Sequence, residues 1–232
     1  MNDRDIDNLV SGAKVPVIPN PETLGRIAES IARSIRPVRP LAAGWLLTAR
    51  VFLICMAVTL VGAAALGFSG IAKMSVLERS LVFGALALLA LSTASQLVNA
   101  MTPGSRRRMT SVAQFAVSGL SLAAILAMCF RNYQITHFWR AGLVCLAIGL
   151  LHAVPAGLLS WWVLRRGFAV EPASAGLAAG TVAGLAGVAM LEFHCPNFQA
   201  AHVLVWHIGV LLASAGLGML CGSAQVRFER RR

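Results

Sequence analysis

The stretch "WLLTARVFLICMAVTLVGAAALGF", residues 45–68, decides the fold. Arg50 is its only charge. At 1.5 Å per residue, a helix of that length covers about 36 Å, enough to cross ~30 Å of hydrocarbon. Five further runs of the same kind follow, at roughly 80–100, 110–130, 139–164, 173–191 and 202–224. Across 232 residues, 57% are hydrophobic and 12% charged, and the mean hydropathy is +0.73. A soluble domain carries about 25% charged residues. Six near-spanning runs in series exclude a soluble protein with unusually apolar core helices. The expected fold class is all-α: a polytopic membrane protein with six transmembrane helices behind a short N-terminal head. The head takes residues 1–41 and the bundle 42–232.

Charge sets the expected orientation. Arginines cluster in "SIRPVRP" before the first run, "GSRRRM" after the second, "LRRG" after the fourth and "RFERRR" after the sixth. The alternate connections hold only Lys73, Arg79, Arg131 and Arg140. Basic residues near span ends mark the cytoplasmic side, so both termini are expected there. The head holds no apolar segment of signal-peptide type and is expected to stay cytoplasmic. In a bacterium with two membranes the barrier is the inner one. The net charge of +11 follows from this topology and calls for no direct nucleic-acid binding.

In the head, Asn20 is placed to cap a helix that opens with Pro21 and Glu22. Leu24, Ile27, Ile31 and Ile35 then recur every three or four residues as one apolar stripe. Pro37 and Pro40 end the helix. Its arginines suit either anionic headgroups or a docked protein. Ahead of it, Asp3, Asp5 and Asp7 form an acidic cluster, and Ile6, Leu9 and Val10 share one face at helical spacing. So short a segment is marginal as a free helix. It reads as a piece that orders on a partner, or as a tail with incidental charges.

Within the bundle, Gly176, Gly180 and Gly184 stand four apart, and Gly218 and Gly222 repeat the spacing. Small residues at that interval let helix backbones approach closely in lipid, so the fifth and sixth spans should pack as a pair. His152 lies mid-span near Pro155, where it could satisfy a carbonyl freed by the proline. It reads as structural.

Cys55, Cys145 and Cys221 lie inside spans and read as small apolar fillers. Cys129 closes the third run and Cys195 follows the fifth in "EFHCPNFQAAHVLVWH", residues 192–207. Both belong on the outer face, with His194 and His202 nearby, where an oxidising compartment permits thiol chemistry. A built tetrahedral metal site is not expected. The chain has no C-x-x-C or H-x-x-x-H, and His202 and His207 fall about 140° apart on a regular helix. Trp139, Trp206 and the histidines can equally serve as interfacial anchors. No phosphate loop, paired carboxylates, nucleophile elbow or haem-ligand pair is evident, so neither an enzyme nor a cofactor is expected. Transport lacks an intramembrane carboxylate and an inverted repeat.

The short head with "DIDNLV", the "PVRPL" lead into the first span, six spans with short loops and "HCPNFQAAHVLVWH" entering the last resemble the NrsF-like (negative regulator of sigma F) membrane anti-sigma factors. The resemblance is sharpest at His194-Cys195-Pro196 and Trp206. Asn197 and Phe198 stand where the family shows an acidic pair, His207 replaces an aromatic, and the head is longer. The resemblance implies a head that sequesters an extracytoplasmic-function (ECF) sigma factor through Asp3, Asp5, Ile6, Asp7, Leu9 and Val10. It also implies stress sensing by redox-active cysteines, with Cys129 and Cys195 in the sensory positions and His194 beside them. The alternative is a small redox- or metal-handling membrane protein whose chemistry lies at the outer face. Oligomeric state does not follow from the sequence.

Overall fold

Away from water each backbone polar group must find its partner inside the chain, so a long apolar run becomes a helix. The computed structural model describes residues 20–34, 41–105 and 109–229. Asp3, Asp5, Ile6, Asp7, Leu9 and Val10 lie outside the described residues. Contacts divide the chain into two units, Met1–Pro40 and Leu41–Arg232.

In the first unit, α1 (Pro21–Ser34) begins where the Asn20 side chain accepts the Glu22 N–H at 3.2 Å. Leu24, Ile27 and Ile31 are exposed along it, and no residue of α1 is buried. The predicted cap and apolar stripe are therefore present. Ile35 lies beyond the described part.

The second unit is a helical bundle. Its elements are α2 (Gly44–Leu66), the short α3 (Ser69–Lys73), α4 (Val76–Ala100), α5 (Ser111–Cys129), α6 (Phe138–Leu164) and α7 (Pro172–His194). The last span opens as α8 (Ala200–His202), passes through a π-helical turn (Val203–His207) and continues as α9 (Ile208–Glu229). Six of these helical stretches are long and apolar enough to cross a membrane, so the chain is a multi-pass membrane protein. Among the described residues there is no strand, only an isolated bridge between Asn132 and Gln199. At the start of α4, Ser75 and Glu78 form a reciprocal capping box.

Helix α7 is the centre of the bundle. It is the least apolar of the six spans and the most buried, because it faces protein where the others face lipid. Its glycines explain the position. A Cβ on Gly180 would strike the Ser214 carbonyl, and one on Gly184 would lie 2.9 Å from the Leu211 Cα. Gly176 meets Gly218 and Gly222 in the same way. The fifth and sixth spans thus pack backbone to backbone, as the glycine spacing predicted. Polar side chains join α4 to α5: Gln114 Nε2 donates to Ser92 at 2.9 Å and to Thr93 at 3.2 Å. Hydrogen bonds of that kind hold helices together where lipid offers no competing partner.

His152 differs from expectation in detail. Pro155 lacks the N–H that would have met the Leu151 carbonyl, yet the His152 Nδ1 bonds the Ile148 carbonyl at 2.9 Å. Its ring fills the space that Gly62 of α2 leaves open, within 3 Å of where a Cβ would stand. The role is structural, though the freed carbonyl is not the one it serves.

Candidate functional site

Three connections meet at one end of the bundle. The turn after α2 is fastened to the end of α7: Ser69 Oγ donates to the His194 carbonyl at 2.5 Å, and His194 Nδ1 donates to the Gly67 carbonyl at 3.3 Å. Gly70 makes the approach possible, since a Cβ there would lie 2.7 Å from the carbonyl oxygens of both Glu192 and Cys195. Gly67, at φ 98°, takes a backbone conformation that suits glycine. On the other side, the loop after α5 holds the loop after α7. Phe130 stacks on Phe198 at 4.6 Å between centroids, and the Ala200 N–H donates to the Asn132 carbonyl at 2.6 Å. Cys195 sits between these two clamps.

Around Cys195 the structure gathers side chains that sequence spacing kept apart. Cys145 on α6 brings its Sγ to 3.5 Å from the Cys195 Sγ. His202 Nε2 lies 3.5 Å from the same sulfur. His207 completes the group, and the four ligand-capable atoms lie within 4.8 Å of one another. All four residues are buried. Cys145 and His207 each stand about 10 Å along their spans, at 1.5 Å per residue.

The π-helical turn explains how two histidines five apart share a face. The Ile208 N–H reaches back to the Val203 carbonyl, an i→i+5 bond, so the turn is wider than an α-helical one. The 140° separation expected from a regular helix does not apply, and the His202 and His207 rings meet edge to face at 5.4 Å. Gly142 on α6 leaves room for the Trp206 ring, which lies where a Cβ would stand. Phe138 and Trp139 flank that ring at 5.4 and 5.6 Å.

Behind the cluster lies a carboxylate. Glu192 is fully buried, and its Oε1 accepts from His207 Nδ1 at 2.7 Å. That bond fixes the ring and leaves Nε2 as the free nitrogen on the other side. Among the described residues, His207 Nε2, His202 Nδ1 and Glu192 Oε2 have no hydrogen-bond partner. Buried polar atoms without partners are uncommon in native proteins and call for an explanation. Cys195 itself lies just past the end of its span. The hydrogen bond from Cys145 chiefly, then the neighbouring His202 and His207 imidazoles, pull its thiol toward the thiolate despite burial.

The sequence-derived candidates fare unequally. Cys195 is at the centre of the cluster. His194 is half-buried and turned to Gly67. Cys129 ends α5 at the same end of the bundle, partly buried, but is not among the gathered ligands. Reading Cys145 as an apolar filler is corrected by its contact with Cys195. Trp206, His202 and His207 are buried in the bundle and do not serve as interfacial anchors. The intramembrane carboxylate not expected from the sequence is Glu192, in the last turn of α7.

A family model described as negative regulator of sigma F matches residues 31–228. No curated protein and no solved structure matches the chain. The match covers all six candidate spans and begins beyond residues 3–10 and most of α1.

Proposed function

The chain belongs to the negative regulator of sigma F family, the membrane anti-sigma factors, and from that premise we propose how it holds and releases its sigma factor. The partner is of the ECF class, bound by the N-terminal head at the cytoplasmic face of a bacterial inner membrane. Ile6, Leu9 and Val10 enter an apolar groove of the sigma factor. Asp3, Asp5 and Asp7 pair with basic residues that otherwise meet promoter phosphates. The head supplies binding without catalysis.

Release begins at the opposite face of the bilayer. Oxidation or capture of a soft metal ion at the outer thiols, Cys195 foremost with Cys129 and His194 nearby, changes how the loop after α7 packs. One observation carries the coupling: Ser69 and Gly70 tie that loop to the end of α2, whose other end leads to the head. A displaced loop therefore pulls on the span that joins the head. Complete switching from bound to released needs about 5.5 kcal/mol of differential affinity. A single crosslink contributes ~2–4 kcal/mol in comparable settings, which favours graded release.

The test is a pull-down from native membranes with the detergent-solubilised chain, intact or lacking residues 1–40, read by mass spectrometry. The expected result is a sigma factor recovered with the intact chain alone. Equal recovery by both baits removes the head from the mechanism, and recovery by neither removes the partner. The buried thiol and imidazole cluster favours one second reading, a redox- or metal-handling protein. That reading predicts recovery by neither bait.

A further inference from the structure

We propose that Cys145, Cys195, His202 and His207 form a closed, four-coordinate zinc(II) site within the bundle. This site stands on its own geometry and does not depend on which partner the head binds.

With Zn–S near 2.3 Å and Zn–N near 2.0–2.1 Å, a tetrahedral site has S–S edges of about 3.8 Å and S–N edges of about 3.6 Å. The Cys145–Cys195 and Cys195–His202 separations are both 3.5 Å. Two of the six donor–donor edges therefore match a coordination tetrahedron within about 0.3 Å, and all four donor atoms lie within 4.8 Å of one another.

A metal-bound histidine nearly always donates its other ring N–H to a carboxylate or carbonyl. Glu192 accepts from His207 Nδ1 at 2.7 Å, which directs the unpartnered Nε2 toward the sulfurs. A bound cation accounts for that orphaned nitrogen. The π-helical turn has the same explanation, since it aligns His202 with His207 where an α-helix would separate them.

Two thiolates balance the charge of a divalent cation. With a monovalent cation the two thiolates would leave an added net negative charge in a buried site, at a large desolvation cost. Two sulfurs and two imidazoles in a tetrahedron suit zinc(II), which needs no fifth ligand and no redox change. All four ligands are buried and come from protein, so no position is left for substrate, and the ion's role is to tie α6, α7 and the last span together.

The test uses the full chain purified in mild detergent without chelators. Metal content is read by mass spectrometry and ligation by zinc K-edge X-ray absorption. The expected result is one zinc per chain with two sulfur and two nitrogen scatterers. Cys129→Ser should keep that complement, whereas Cys145→Ser and His207→Gln should each lose most of it. Cobalt(II) replacement should give the intense visible bands of a tetrahedral thiolate site in wild type. The spectrum needs no variant, so it remains decisive if the variants fold poorly. A chain carrying copper in place of zinc overturns the proposal. So does a metal-free chain that gives no tetrahedral cobalt spectrum, or unchanged zinc in both ligand variants.

Discussion

Glu192 Oε1 and His207 Nδ1 meet at 2.7 Å, and neither side chain has any exposure to solvent. The two residues stand on the fifth and sixth spans, next to the face where Gly180 and Gly184 bring those helices together. A buried pair of this kind adds little net stability while it is intact, but truncating one partner strands the other. Glu192→Ala should therefore destabilise the bundle by about 3 kcal/mol, within the range for broken buried pairs. Thermal unfolding of the detergent-solubilised protein measures it. Glu192→Gln keeps an acceptor oxygen for Nδ1 and should lose distinctly less. An alanine variant as stable as wild type would mean that the pair is not formed in the membrane-extracted protein.

Cys145 and Cys195 are 3.5 Å apart at sulfur, close to the separation from which a bond of about 2.05 Å forms with modest movement. The Cys195 thiol is held toward the thiolate, the nucleophilic form. Treating the metal-stripped chain with diamide should join these two cysteines. The diazene takes up the two electrons and two protons released as the thiols become a disulfide. Proteolysis and mass spectrometry should then recover the crosslinked pair from α6 and the loop after α7. Cys129 should stay a free thiol or react alone. A Cys129–Cys195 crosslink as the main product would show that the loop after α7 rearranges before it reacts.

Spans and cluster differ in how legible they were from sequence. The spans declare themselves by local composition, because lipid imposes the same demand on each run of residues. The glycine ridge is equally local: a four-residue interval on one helix already implies a close neighbour. The cluster depends on long-range contacts. Cys145 is an ordinary span residue until α6 packs beside α7, and sequence spacing carries no record of that packing. Glu192 looked like a loop carboxylate because the apolar run stops at Leu191, whereas α7 continues to His194. The π-helical turn hid the histidine pair, since a regular helix was the only rule available for five-residue spacing. The sequence did show an unusual density of ligand-capable residues between 192 and 207.

The glycines offer a contrast in packing. Gly180 has the Ser214 carbonyl where its Cβ would stand, whereas Gly84 on α4 and Gly216 on α9 have nothing within 4 Å. Gly180→Ala should force α7 and α9 apart and cost ~1–3 kcal/mol, the usual range for overpacking. Gly84→Ala and Gly216→Ala should be neutral or slightly stabilising, since alanine favours the helix. Thermal unfolding of the three single variants in one detergent gives the comparison. Equal melting points would show that the fifth and sixth spans are not in backbone contact.

The link between the clustered end and the first span can be cut without substituting a residue of either site. Gly70 lies against the carbonyl oxygens of Glu192 and Cys195, each 2.7 Å from where its Cβ would be. Gly70→Val must therefore lift α3 from the end of α7, while the head and the four clustered residues keep their identity. Under the proposed mechanism the variant should still recover the sigma factor in a pull-down. It should respond differently to oxidant: a sigma-dependent reporter should lose most of its induction, or be partly active without stimulus. Ser69→Ala removes only the hydrogen bond to His194 and should give a weaker form of the same effect. Wild-type induction in Gly70→Val would mean that the signal reaches the head by another route, and α6, which packs against both α2 and α7, becomes the next span to test.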